Sequence, residues 1–488
     1  MSLGSQAVRG ALWTISSSVG SRAIGLIGTL VITRFIAPAE YGEVTVAAVL
    51  AMSANQLSSL GLGQYLVSRP DAPRSATFHV TSFHMLFGLL ALALLVLGGP
   101  WLGRLFEAPG MARYLPGLAL GVLLDRVAFV PERLLVRELR FKRLSLGRSA
   151  ADLAHSAVSI GGAALGFGAL AIVLGNVARS SIRLLVFVSG VRARDWLQPC
   201  RYTLGQAREL LAFGVPMAGA ALCEFASRRW DNLLVSRFFG PGPTGMYNLA
   251  YNLADVPAIQ IGEQIGDVLL PSFARMDAAL RPQAFLRSLS ILGLIVFPLA
   301  IGLGVVAPTL VATIFDERWR PLGPMLVLLS ALSVARPVGW TVASYLQAQR
   351  KPALILGLEV LKLVCLLGGI VSIGRSGPLW TCAAVGLAFG VHALAALWVI
   401  RQLDGIALKD SLGCLLPALS SALVMVLMVL LVRAGLTGSG SLPAALALAI
   451  EVLAGAVGYL LAAAVLARRP GLELLTRLRD ALQPPAVG

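Results

Sequence analysis

Asn176, Arg179 and Arg183 sit at i, i+3 and i+7 in an otherwise apolar run, so on a helix they share one face. No acid lies in that run. Two guanidiniums placed this way suit an anion, because the planar fork binds phosphate oxygens bidentately. Ser18, Arg22, Gly25 and Thr29 form a second small, polar face around a lone Arg. Further along, Asn248, Asn252, Asp255, Glu263 and Asp267 fall within about 120° of one another around a helix, although Pro257 kinks it. Three carboxylates in one apolar helix suit a coupling ion, Na⁺ or H⁺. Between these sets, Glu224, Arg228 and Asp231 at i, i+4, i+7 read as an internally paired stripe, with Arg229 off it, and Glu359 pairs with Lys362 at i, i+3. Arg126 neighbours Asp125, but adjacent residues on a helix do not face each other. Arg336 completes the set of cations in apolar runs.

These side chains must be carried across a bilayer. A mean hydropathy of +0.81, with 57% hydrophobic and 13% charged residues, excludes an ordinary soluble domain. Runs of about 20 apolar residues, punctuated by Pro, Gly and Arg, occur at 12–33, 42–66, 78–99, 113–131, 149–167, 169–190, 211–236, 245–270, 288–314, 322–347, 353–373, 378–400, 412–432 and 442–466. The first is too long, and too interrupted by Arg22, for a cleavable signal peptide. Of the 40 Lys and Arg residues, 24 fall in alternate loops that begin with the N-terminus and 8 in the others, which places both termini in the cytoplasm. The net charge of +16 is therefore a topology signal beside membrane ends, not a nucleic-acid footprint. The basic segment from Glu132 to Leu144 reads as a charged loop, or as an amphipathic helix on the inner surface. No phosphate-binding G-x-x-x-x-G-K-[ST] occurs, so ATP is not the expected energy source.

The chain also writes one turn twice. Arg34-Phe35, Pro38 and Gly42 recur as Arg237-Phe238, Pro241 and Gly245, after the first and the seventh runs. Six crossings separate the copies, so the halves point the same way and are related by an axis along the membrane normal. The expected fold is all-α, with about 14 transmembrane helices in two six-helix lobes plus two C-terminal helices. Its parts are 1–190 for the first lobe, 191–210 for a cytoplasmic linker, 211–400 for the second lobe, 401–467 for the extra helices and 468–488 for a cytoplasmic tail.

Cys200, Cys223, Cys365, Cys382 and Cys414 lack any C-x-x-C spacing and read as packing residues. His79, His84, His155 and His392 have no metal spacing, and Asp152 with His155 reads as a plain polar contact. No metal or catalytic constellation emerges, so the chain is not expected to be an enzyme. The G-x-x-x-G steps at Gly117 and Gly262 fit close helix packing and require no oligomer.

The segment from Asp231 to Met276, with "SRFFGPGPTGMYNLAYNLADVP" and "LLPSFARM", resembles the polysaccharide-export flippases (the Wzx or polysaccharide-transporter group). So do "RFIAPAEYG" and "YLQAQRKP". That group belongs to the multidrug/oligosaccharidyl-lipid/polysaccharide superfamily, and the resemblance implies its MATE-like fold. It also implies alternating-access export of an undecaprenyl-pyrophosphate-linked oligosaccharide across a bacterial inner membrane, for exopolysaccharide, capsule or O-antigen. Arg22, Arg126, Arg179, Arg183, Arg228 and Arg336 would then form a cationic central cavity for the cargo. Asp231, Asp255, Glu263 and Asp267 would bind a coupling Na⁺ or H⁺. The implied partners are the lipid-linked cargo, membrane lipid and the polysaccharide polymerase machinery. A drug or cation antiporter of the same superfamily is the alternative; a lipid II flippase or a membrane-embedded polymerase or ligase fits less well.

Overall fold

The computed structural model describes residues 25, 28–60, 62, 65–66, 74–138, 140–201, 203–438 and 442–467, with the backbone alone at some helical positions, chiefly 256–268. Arg22 and most of the first expected span lie outside the described residues. Among those described, the structure is helical and contains no strand. Proline sets where many helices begin, because its missing N–H costs nothing in the first turn and its φ is already helical. Proline occupies that first turn in α1 (Pro38–Ser59), α3 (Leu115–Arg137), α9 (Arg281–Ile314), α11 (Arg336–Ala348), α12 (Pro352–Ser372) and α13 (Pro378–Asp404). The remaining elements are α2 (Arg74–Leu105), α4 (Phe141–Ala164), α5 (Leu170–Val188), α6 (Leu204–Arg229), α7 (Asp231–Phe239) and α8 (Pro241–Arg275). They continue with α10 (Leu322–Leu332), α14 (Leu408–Gly413), α15 (Leu416–Gly438) and α16 (Ala444–Leu466).

Nine helical segments among the described residues are long and apolar enough to cross a membrane. Helices α1, α3, α4 and α8, 22 to 35 residues long, occupy four further expected positions. Many large apolar side chains face outward, among them Leu97, Leu165, Leu453 and Leu461. In water such a surface would be untenable; against lipid it is the ordinary exterior.

Three details differ from the sequence reading. The seventh run is not one helix: it steps at Trp230 between α6 and α7. The tenth breaks into α10, a 3₁₀ turn at Ser333–Ala335, and α11. Pro337 causes the second break, since it offers no N–H to the Ser333 carbonyl four residues back. The basic segment from Glu132 is neither loop nor surface helix: α3 runs on to Arg137 and α4 starts at Phe141, with Leu134, Leu135 and Leu144 all buried.

The chain forms two compact units, Met1–Gly245 and Met246–Gly488. In the first, α4 packs along α5, α3 along α5, and α1 against α2, α6 and α7. Its main core gathers Ile36, Val46, Met111, Tyr114, Leu115 and Leu233. In the second, α15 pairs with α16 and α12 with α13, while α9 contacts α10, α15 and α16. Phe273, Phe285 and Tyr345 centre its core with edge-to-face ring contacts, the two rings lying 5.2 and 5.1 Å from Tyr345.

Candidate functional site

In the first unit the cations on α5 are not alone. Arg179 Nε donates to Asp152 Oδ1 on α4 at 2.9 Å, and Arg183 reaches Asp125 Oδ1 and Glu132 Oε2 on α3, both at 3.0 Å. Glu132 Oε1 also accepts from Arg148 Nη2 at 2.6 Å, and Ser180 Oγ donates to Asp125 Oδ2 at 3.0 Å. Three acids on α3 and α4 thus meet three arginines. The cation-only face read from the sequence is corrected: its counter-charges come from neighbouring helices. Glu132 is sealed, with 4% of its side chain exposed, whereas Arg179 keeps 43% and Asp125 33%. Partly exposed charges on membrane helices imply a hydrated polar space beside them, because lipid would not tolerate them.

Arg126 is placed differently. It turns away from Asp125 and donates from Nη1 to the His84 carbonyl at 2.9 Å and from Nη2 to the Asn55 carbonyl at 3.0 Å, with Ser58 Oγ as a further acceptor. It is 2% exposed and ties α1 and α2 to α3. Gly88 makes the space, since a Cβ there would overlap the guanidinium. The His84 ring stacks on Phe129 with centroids 4.2 Å apart. Arg126 therefore holds helices together in this conformation.

Arg228 Nη2 lies 3.4 Å from Glu224 Oε1, as its spacing predicts. Asp231 falls beyond the step at Trp230, buried, where Oδ1 accepts from the Asn232 amide at 2.8 Å and from Asn232 Nδ2 at 2.9 Å. That bond makes Asp231 a local organiser of the first turn of α7.

In the second unit Asp255 on α8 is ion-paired to Arg336 at the start of α11. The break in the tenth run puts this cation at a helix N-terminus, where the backbone dipole disfavours it; Asp255 and two aromatic faces compensate. The guanidinium lies 4.7 Å from the Phe389 ring centre and 5.7 Å from that of Tyr251, and Nη2 is 3.4 Å from the Tyr251 hydroxyl. The cavity beside it holds about 10 Å³, space for one water. Lys362 Nζ stands 5.8 Å from the same ring centre and 2.5 Å from Glu359 Oε2. His392 Nε2 lies 3.8 Å from Glu359 Oε1. Asn252 Nδ2 donates to Asn248 Oδ1 at 3.3 Å, so the amide face of α8 is present beside Asp255. The side chains of Glu263 and Asp267 lie outside the described residues.

A separate cleft of about 770 Å³ between the ends of α9 and α10 is mainly apolar, lined by Pro308, Val311, Phe315, Pro324 and Val327. Its acids are matched locally: Asp316 pairs with Arg318, and Glu317 with Arg320 at 3.4 Å. It shares no residue with the Arg336 cluster.

Sequence reasoning missed Glu132 and Arg148 as partners, the Phe389 ring, and one buried pair outside these clusters. Glu451 on α16 accepts from Arg433 Nε at 2.9 Å, Arg433 Nη2 at 2.7 Å and Thr309 Oγ1 at 2.9 Å. Arg433, read from the sequence as a loop residue, lies within α15. The signal was available: Glu451 is the one acid in the fourteenth apolar run.

Comparison with solved structures places the fold of this helical, multi-pass membrane protein. The fold matches the lipid II flippase MurJ in an inward closed conformation, with a TM-score of 0.77 and 15% identity over 94% of this chain and 99% of that one. It also matches an inward-facing multidrug resistance MATE family transporter of the MOP superfamily, with a TM-score of 0.64 and 15% identity over 78% and 95%. The chain belongs to the polysaccharide biosynthesis protein family, whose profile matches residues 31–324. Among curated relatives, the lipopolysaccharide biosynthesis protein WzxC of Escherichia coli (strain K12) is 26% identical over 80% of this chain and 78% of its own length. The succinoglycan biosynthesis transport protein ExoT of Rhizobium meliloti (strain 1021) is 24% identical over 86% and 84%. The protein is a multi-pass membrane protein of the polysaccharide biosynthesis family, and one of its relatives, ExoT, is named a transport protein of such a biosynthesis.

Proposed function

We propose that the protein flips an undecaprenyl-pyrophosphate-linked oligosaccharide from the cytoplasmic to the outer leaflet of a bacterial inner membrane, with both termini cytoplasmic. The observation that carries this reading is the state of the intramembrane arginines: Arg179 and Arg183 are held by carboxylates yet partly exposed. A guanidinium in that state is neutralised while the transporter is empty and still open to exchange. A pyrophosphate, with more charge and more acceptor oxygens than a carboxylate, can displace Asp152 or Asp125 and keep every donor satisfied. Arg228, half exposed beside Glu224, is suited to the same exchange. Arg336 is more enclosed and engages an anion only when Asp255 is neutralised.

Asp255 is therefore the favoured ion-coupling group. Proton or Na⁺ binding there weakens its hold on Arg336 and links the ion to the availability of a cation for cargo. Asp231, Glu263 and Asp267 remain in the proposed coupling set, the last two by their place on α8. Delivery to a polymerase after flipping is the proposed partner step, and no oligomer is required for it. Similarity to WzxC and ExoT supports the cargo class through their names alone.

The test is the lipid-linked oligosaccharide pool of a deletion strain, resolved by leaflet. Complete units accumulating on the cytoplasmic side are expected. A normal pool with full polysaccharide output would refute the assignment.

A further inference from the structure

Five arginines lie between Glu132 and Arg148, across the junction of α3 and α4. Three have partners. Arg148 pairs with Glu132 at 2.6 Å, and Arg140 Nη1 donates to the Gly190 carbonyl at 2.6 Å. Arg143 donates from Nε to the Val186 carbonyl at 3.0 Å and from Nη2 to Ser189 Oγ at 2.8 Å. Arg140 and Arg143 thus cover the C-terminal end of α5, where a cation complements the helix dipole.

Arg133 and Arg137 are different. Four residues apart on α3, they share one face of that helix. Arg133 Nε and Arg137 Nη1 are both shut off from solvent, and neither has an acceptor among the described residues. The Arg133 guanidinium stands 5.2 Å from the centre of the Phe129 ring, which His84 fixes by stacking. Neighbouring acids are committed: Glu132 accepts from Arg148 and Arg183, and Glu138 lies 3.6 Å from Arg140. Trp196 adds a third donor. It is 5% exposed, packs in one apolar cluster with Val130 and Leu134 of α3, and its Nε1 also lacks an acceptor among the described residues.

A buried N–H without an acceptor is costly, and more so when it carries charge. Two cations and an indole with this need at one helix end call for an anion with several oxygens. The count of Lys and Arg puts this end of α3 at the cytoplasmic face, level with the inner-leaflet headgroups. We propose that Arg133 and Arg137 bind the phosphate of an anionic inner-leaflet lipid, with Trp196 Nε1 as a further donor. Two guanidinium forks match phosphate oxygens. The lipid must carry net negative charge, since a zwitterionic headgroup brings its own ammonium and leaves the two arginines unbalanced. This lipid belongs to the bilayer and is not the cargo; its site is separate from Arg179 and Arg183.

The test is thermal unfolding of the purified chain in non-ionic detergent, titrated with phosphatidylglycerol, phosphatidylcholine or inorganic phosphate at matched ionic strength. Phosphatidylglycerol alone is expected to raise the unfolding temperature. Arg133→Gln with Arg137→Gln is expected to weaken the apparent affinity for it by about tenfold or more, as two charge-assisted contacts are lost. Without lipid the same variant is expected to unfold no earlier than its parent, because it removes buried charges that lack acceptors. Arg192→Gln with Arg194→Gln removes equal charge from exposed positions on the same side, and its affinity is expected to stay within about twofold. Equal weakening in both double variants would show diffuse attraction to a basic surface and overturn the site. Equal protection by inorganic phosphate would overturn a lipid as its occupant. If the double variant does not fold, Arg137→Gln alone is read in the same way, and unchanged affinity there would overturn the proposal. Neither cargo nor transport enters the measurement, so its failure leaves the proposed function standing, and the leaflet assay does not decide it.

Discussion

Arg433→Leu is the perturbation whose size follows most directly from the structure. Glu451 is 2% exposed and accepts three hydrogen bonds, two of them from Arg433. Arg433 Nη2 also donates to the Val305 carbonyl of α9 at 2.6 Å. Leucine at 433 leaves a carboxylate in an apolar surround with only Thr309 as donor. Breaking a buried pair from one side costs about 3 to 5 kcal/mol. Glu451→Gln is milder, because Arg433 keeps 25% exposure and its bond to Val305, so a loss of about 1 to 2 kcal/mol is expected. Arg433→Leu with Glu451→Leu removes both charges and is expected to cost less than either single change, or to stabilise. The assay is thermal unfolding of the purified protein in detergent, run as a double-mutant cycle with Glu451→Leu as its second single variant. A double variant at least as unstable as Arg433→Leu would refute the reasoning, since the penalty would then be lost packing and not a stranded charge.

Arg179→Ala and Arg183→Ala are each expected to lower export at least tenfold at normal protein levels; unchanged export from both would remove the α5 face from cargo handling. Asp255→Asn is expected to abolish the dependence of transport on the ion gradient by fixing a neutral partner beside Arg336, and wild-type response to a collapsed gradient would exclude Asp255 as the coupling group. Gly88→Ala forces a methyl into the Arg126 guanidinium, and a loss of about 1 to 3 kcal/mol is expected in thermal unfolding; a neutral result would show that Arg126 can withdraw from its three acceptors.

The helices were legible because their determinants are local. About 20 apolar residues and a proline at the first turn fix α12 and α13 almost to the residue, starting at Pro352 and Pro378. Pairs within one helix were equally legible: Glu359 with Lys362 and Glu224 with Arg228 follow from i, i+3 and i, i+4 spacing. What failed was pairing between helices. Arg179 and Arg183 read as unneutralised because Asp125, Glu132 and Asp152 lie 27 to 58 residues away in sequence, and only the packing of α3 and α4 on α5 brings them close. The turn motif could be seen twice, but not that its two copies touch, Gly42 against the Pro241 carbonyl and Gly245 against that of Pro38. The step at Trp230 escaped because no proline marks it.

The correction changes what a transporter for an anionic lipid has to be. A bare cationic face of two arginines, Arg179 and Arg183, would carry an insertion cost of about 2.5 to 3.5 kcal/mol for each, with nothing to offset it between cycles. Pairing each guanidinium with a carboxylate removes most of that cost, but a pair sealed at both partners would never release its arginine. The α3–α4–α5 cluster lies between these limits, for Glu132 is sealed while Asp125, Asp152, Arg179 and Arg183 keep between 26% and 43% of their side chains exposed. Under the proposed function, exchange of carboxylate for pyrophosphate would conserve the number of ionic contacts. The cargo would then be held only by the difference between two good partners, which would keep release at the far side fast.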